Sequence, residues 1–122
     1  MAHSSSRPAY LVRRLADAPV VPCPCGLSTR LLTLDDGPGA NFHVTSITDS
    51  AKHFHKECTE FYFILEGTGD LELGDDTIHV EPGMLIRIEP LTPHRLRSEG
   101  GVRTVVLGLP ALKPDDEYFV EG

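Results

Sequence analysis

From residue 29 onward the chain is divided by glycine and proline into runs too short for anything but strands. The sequence holds eleven glycines and ten prolines in 122 residues, and turn signals such as DDGPG, GTGD, GDDT and VEPGM recur between them. The intervening runs TRLLTL, NFHVTSI, EFYFILE, LELGD, MLIRI and VRTVVLGL are rich in β-branched, aromatic and aliphatic residues, and several alternate with period two. No stretch carries the 3.6-residue apolar period of a long amphipathic helix. Eight or so short strands at close spacing predict an all-β barrel or sandwich, and the length suits one domain.

Alternation assigns faces. In NFHVTSI, Asn41, His43, Thr45 and Ile47 share one face, with Phe42, Val44 and Ser46 on the other. In EFYFILE, Glu60, Tyr62 and Ile64 oppose Phe61, Phe63 and Leu65; in MLIRI, Met84, Ile86 and Ile88 oppose Leu85 and Arg87. In HRLRS, His94 and Leu96 point in while Arg95 and Arg97 point out, and Gly100 and Gly101 then turn the chain into a last strand. GTGD and GDDT predict a hairpin between residues 61 and 81. The proline-rich APVVPCPCG is excluded from helix and central strand and reads as an extended arm, while YLVRRL fits a strand or one helical turn. These readings divide the chain into an arm at 1–28, a barrel at 29–109 and a tail at 110–122, where Tyr118 and Phe119 either dock the tail or leave it to fray.

The chemistry is concentrated in ITDSAKHFHKECTEFYFILEGTG. His53 and His55, two apart, face the same way on an extended strand, which is a metal-ligand spacing. Glu60 is an odd number of residues beyond His55, so an unbroken strand would turn it away; the polar KECT stretch is a natural turn or bulge that restores it. His94 follows the turn-rich EPLTP and can return beside the pair. The competing reading is two surface histidines beside an acid.

At this point the sequence resembles the cupin family. Its first motif, G(X)5HxH(X)3-4E(X)6G, is matched by His53, His55, Glu60 and Gly67, with Ile47 in place of the leading glycine. Its second, G(X)5PxG(X)2H(X)3N, is met more loosely by Gly74, Pro82, Gly83 and His94, with Leu91 at the usual turn glycine and Ser98 at the final asparagine. The resemblance implies a double-stranded β-helix, or jelly-roll barrel. It also implies that His53, His55, Glu60 and His94 ligate one divalent transition metal ion, whether iron, manganese, nickel, zinc or copper. Tyr62, and His43 beside it, are candidate substrate contacts; no catalytic residue is identified. An ion held this way keeps one or two positions open, which suits a dioxygenase or a sugar isomerase or epimerase acting on a small, uncharged or chelating molecule. The alternatives are a barrel that binds or senses a small ligand without turnover, and a barrel that carries the ligands without using them.

Other signals narrow the setting. The formal charge of −7 argues against nucleic acid as a partner, and there is neither an 18-residue apolar run nor a signal-like N-terminus, so a cytoplasmic location is expected. Cys23 and Cys25 stand too close for an easy mutual disulfide, and Cys58 reads as an ordinary loop cysteine, so no disulfide framework is expected. The aromatic row opposite Glu60 needs a cover from the N-terminal arm, a second sheet layer or another subunit, and a homodimer is expected.

Overall fold

The computed structural model describes residues 9–37 and 39–120. Most of the polar N-terminal stretch, Pro38 of the DDGPG turn and the last two tail residues lie outside the described residues. Ten strands follow one another: β1 (Val20–Cys23), β2 (Gly26–Leu32), β3 (Asn41–Asp49), β4 (His53–Phe54), β5 (Thr59–Glu66), β6 (Gly69–Leu73), β7 (Asp76–Val80), β8 (Leu85–Ile88), β9 (His94–Leu109) and β10 (Tyr118–Phe119). Among the described residues two short 3-10 turns accompany them, Leu15–Asp17 before β1 and Leu34–Asp36 between β2 and β3. No helix among the described residues is long and apolar enough to cross a membrane.

All pairing is antiparallel and resolves into two walls. One runs β1-β2-β3-β9-β5-β8 and the other β7-β6-β9-β4-β10. Strand β9 belongs to both: its first residues, His94 to Arg97, pair with β4 and β6, and its last, Val102 to Leu109, pair with β3 and β5. The register of β3 against it slips across this bend, and that of β5 slips just beyond it, at Leu65 opposite Arg103 and Thr104. Gly100 and Gly101 were expected to turn the chain into a new strand; they form instead a bulge within one bent strand. Gly101 takes φ +90°, and Ser98 Oγ donates to the Thr68 carbonyl at 2.5 Å and accepts from the Gly101 amide at 3.0 Å. The hairpin expected over residues 61–81 narrows to β6–β7, because β5 pairs with β8 and β9 rather than with β6. Gly67, with φ +81°, lies against β9 where a Cβ would collide with the Gly101 carbonyl, so no other residue fits this motif position.

On β5 the expected faces are observed: Glu60, Tyr62 and Ile64 are buried while Phe63 and Leu65 are exposed. On β3 Asn41, His43, Thr45 and Ile47 are buried as expected, but Val44 of the opposite face is buried too, covered by the neighbouring elements, and only Ser46 of that face is exposed. Ile47, Ile64, Leu71, Val80, Ile86, Ile88, Leu96, Val102 and Val106 close the core between the walls. Each such side chain contributes about 1.5–3 kcal/mol by leaving water.

The reading of the first two cysteines is corrected. Strand β1 ends at Cys23 and β2 begins at Gly26, so a tight turn folds the chain back and brings the Cα atoms of Cys23 and Cys25 to 5.2 Å. That separation is ordinary for a disulfide, and the two are bonded. β1 is an edge strand, which is why Pro22 is tolerated within it.

Candidate metal centre

His53 lies on β4, His55 just beyond it, Glu60 near the start of β5, and His94 opens β9 opposite His53. The Lys56–Cys58 turn reverses the side-chain parity, so Glu60 faces the same interior as the histidines. All four residues are buried, and one ligand atom from each lies within 4.8 Å of the others.

The imidazoles are oriented from behind. Nδ1 of His53 donates to the Ala51 carbonyl at 2.7 Å, Nδ1 of His55 to the Asp116 carbonyl at 2.6 Å and Nδ1 of His94 to the Thr92 carbonyl at 2.9 Å. Each bond turns Nε2 towards the common centre, the arrangement that a histidine ligand requires. Glu60 Oε1 sits 3.3 Å from both His55 Nε2 and His94 Nε2, yet among the described residues none of these three buried atoms has a well-aligned hydrogen-bond partner. Unsatisfied buried polar atoms cost about 1–3 kcal/mol each. A cation among them would satisfy all three at once, and two or three neutral imidazoles with one carboxylate are the donors that first-row divalent ions take. The residues present therefore fit such an ion.

Burial would lower the basicity of His55, but the Glu60 carboxylate beside it outweighs burial and raises this imidazole to about 9. Burial would likewise raise Glu60, and His55 with His94 instead hold it well below the ordinary carboxylate range. Burial, reinforced by His94, pushes His53 down to about 4. His43 also falls to about 4, through burial and then the charge of Arg30.

The centre opens onto a cavity of about 430 Å³. His43 and Tyr62 both line it. Burial, then Glu60, raises the Tyr62 phenol well above its ordinary value, which keeps it a neutral donor. Arg87 points outward, as expected, and pairs with Glu89 at 2.8 Å. Cys58 is buried, and burial followed by Glu60 pushes its thiol up to about 12, so it is no nucleophile at neutral pH.

Several lining residues escaped the sequence reading. Ser28 Oγ, Arg30 Nε and Asn41 Nδ2 are buried without hydrogen-bond partners among the described residues, and all three side chains border the cavity. Arg30 thus supplies an inward positive charge that alternation alone did not assign. Glu117 borders the same space, its Oε1 3.9 Å from His53 Nε2, with burial raising it above the ordinary carboxylate value. Its neighbour Asp116 turns the other way, into the Lys56–Cys58 turn. The acidic DDE run was the available signal for both, but nothing in its spacing ties it to a turn near residue 57.

The comparisons with known proteins agree with this fold. L-ectoine synthase of Hyphomonas neptunium is 40% identical over 79 residues, 61% of this chain and 58% of that protein. The chain thus spans less than two thirds of the length of this relative. Among solved structures, a protein from Planctomyces limnophilus superimposes with a TM-score of 0.84 at 28% identity, covering 95% of this chain and all of the other. The Streptomyces nucleoside dehydratase Pac13 gives 0.78 at 18% identity, covering 93% and 92%, a likeness of fold alone. The cupin domain family matches residues 42–109, more than half of the chain and a range that contains the four converging side chains, and the chain belongs to that family.

Proposed function

We propose that this chain is a metal-dependent enzyme that eliminates water from, or closes a ring in, a small polar molecule held in the cavity. The observation that carries this reading is the unpartnered group of His55 Nε2, Glu60 Oε1 and His94 Nε2, of which His55 and Glu60 line a cavity large enough for such a molecule. His53, His55, Glu60 and His94 would hold the ion, which would supply Lewis-acid polarisation of a substrate oxygen. Dioxygenase and isomerase chemistry was anticipated from the sequence. One similar protein is instead named a synthase, and among those alike in fold alone one is named a dehydratase and another a polyketide cyclase, so we rank elimination and cyclisation first.

The remaining lining residues support a substrate rich in hydrogen-bond acceptors. Arg30 Nε, Asn41 Nδ2 and Ser28 Oγ offer donors to an oxygen-bearing group, a carboxylate or an amide, and burying them against such a group removes the cost of leaving them unpaired. The Tyr62 phenol stays protonated and can donate. His43 stays neutral near pH 7 and can accept. Glu117, beside His53, is the group placed to take a proton from the bound molecule and return it to a leaving hydroxyl.

A second copy of the chain is the partner we propose for the outer face of β5 and β8, where Phe63, Leu65 and Leu85 are exposed.

The test is to load the purified protein with iron(II), manganese(II), nickel(II), zinc or copper(II) and incubate it with hydroxy acids, acylated amino acids and nucleosides. Products are read by mass spectrometry beside an oxygen electrode. Loss of one water, absent in Glu60→Ala, supports the proposal. Oxygen uptake with oxygenated product would replace it with the dioxygenase reading, and ligand binding with no turnover under any metal would leave a binding barrel.

A further inference from the structure

Three consecutive amides of the turn that separates the histidines from Glu60 converge on one side chain from far along the chain. Asp116 Oδ1 accepts from the Lys56 amide at 2.7 Å, and Oδ2 accepts from the Glu57 and Cys58 amides, each at 3.1 Å. The same residue's backbone carbonyl accepts from His55 Nδ1 at 2.6 Å. Asp116 is buried, and the segment around it is held on both sides. Before it, the Leu112 amide donates to Asn41 Oδ1 at 2.8 Å. After it, β10 pairs with β4, the Tyr118 ring stacks on Phe54 at 5.3 Å, and the Val120 amide donates to the Lys52 carbonyl at 3.0 Å.

Two consequences meet in this one residue. The turn must change side-chain parity for Glu60 to face the histidines, and a turn that does so leaves its amides without strand partners; a carboxylate satisfies three of them with charge-assisted bonds. By occupying that place the carboxylate also fixes where its own backbone carbonyl lies, and that carbonyl fixes the His55 ring. We infer that Asp116 is a positioning residue that presets His55 and Glu60 together, so that the centre is completed by the C-terminal segment and ion binding is coupled to docking of that segment. The inference rests on the metal-centre reading. Coupling of this kind is reciprocal: whatever tail docking adds to ion affinity, the ion adds to tail docking.

A cap that served stability alone would leave the ion affinity of the folded protein unchanged, and this separates the two roles. The experiment uses the full chain as wild type, Asp116→Ala, Asp116→Asn and the exposed neighbour control Asp115→Ala. Zinc affinity is measured by competition with a chromophoric chelator, amide exchange is followed at residues 56–58 and at Val120 with and without zinc, and circular dichroism verifies the fold. Asp116→Ala is expected to weaken zinc about 10–100-fold, the range for groups that orient a histidine ligand. Asp116→Asn, which keeps one acceptor oxygen, should recover part of the loss, and Asp115→Ala should bind as wild type. Zinc should slow exchange at Val120 in the wild type. A folded Asp116→Ala with wild-type zinc affinity and zinc-independent exchange overturns the inference. Should Asp116→Ala fail to fold, Asp116→Asn decides by the same readouts. Should the wild type bind none of zinc, iron(II), manganese(II), nickel(II) and copper(II), the metal reading fails on its own, and the His55 Nδ1 proton resonance of the metal-free protein still tests positioning: its loss in a folded Asp116→Ala supports the role, and its persistence there removes it.

Discussion

His53 and His94 stand directly opposite each other across the β4–β9 pair, with ring centroids 4.4 Å apart. Burial, and after it the neighbouring His94, lowers His53 to about 4, so that it carries a proton only below that value. His53 is therefore a ready ligand at neutral pH. Because the partners come from distant strands, an ion between them would tie β4 to β9 where the two walls meet, and its binding would stabilise the fold.

The first prediction follows. At a free concentration a hundred times its dissociation constant, a bound ion adds about 2.7 kcal/mol of stability. Thermal unfolding of the wild type should shift upward with added zinc or iron(II), while His94→Ala, folded but short of one ligand, should shift little or not at all. Equal shifts in both would place the bound ion elsewhere.

The second concerns pH in the metal-free protein. His43 and His53 titrate near 4 when folded and near 6.5 when unfolded. The unfolded state therefore binds more protons between these values, so their contribution is intact above 6.5 and is lost as the pH falls towards 4, on the order of several kcal/mol together. His55 runs the opposite way: raised to about 9, it favours the fold fully below 6.5 and loses that contribution as the pH climbs through 9. Denaturant midpoints should peak near neutrality and fall on the acid side, and His43→Gln should flatten the acid limb.

Proton competition at His55 gives a third prediction. Below about 9 an ion must displace the His55 proton, so affinity should rise with pH by up to tenfold per unit between 6.5 and 8.5. Calorimetry in buffers of different ionisation enthalpy should register proton release near pH 7. Release absent in wild type and unchanged in a folded His55→Ala variant would mean that His55 is not a ligand.

Much of the fold and the converging four side chains was legible because alternation is a local rule. Asn41 to Ile47 and Glu60 to Ile64 sit on faces fixed by the pleat, and the need for a turn at KECT followed from parity alone. What stayed hidden depends on how distant segments meet. The Gly100–Gly101 pair has the composition of a turn, and only β3, which pairs with β9 on both sides of it, makes it a bulge in one strand. Cys23 and Cys25 read as too close along the chain to bond, and the tight β1–β2 turn nonetheless sets their Cα atoms at a bondable 5.2 Å. Asp116 and Glu117 belong to a tail whose docking is decided by donors on a turn roughly sixty residues earlier, a relation that no single-segment pattern encodes.

Leu91 supplies a fourth prediction. It takes φ +69° in the turn before His94, its side chain is 65% exposed, and its amide donates to the His55 carbonyl at 2.7 Å. The left-handed conformation costs an L-residue about 1–2 kcal/mol, whereas glycine adopts it freely but loses about 0.5–1 kcal/mol more entropy on folding. Since little packing is lost with an exposed side chain, Leu91→Gly should stabilise the protein by up to about 1 kcal/mol and keep the bond to His55. Leu91→Val, β-branched, should destabilise it. A destabilised glycine variant would show that the leucine side chain has a packing role.

The outer face of β5 and β8 carries the last. Phe63 is 43% exposed, Leu65 39% and Leu85 65%, and Phe63 and Leu85 are direct cross-strand partners, so the apolar surface is continuous rather than scattered. Arg87 and Glu89 neutralise each other at its margin, leaving no net charge there to repel an identical face. A two-fold pairing would set each patch against its own copy and remove the aromatic edge from water. Light scattering at tens of micromolar should give a dimer for the wild type and a monomer for Phe63→Ser/Leu85→Ser. Because both side chains point away from the core, the variant should keep its β circular-dichroism spectrum. A wild type that is monomeric at that concentration, or a variant that remains dimeric, would remove this face as the interface between copies.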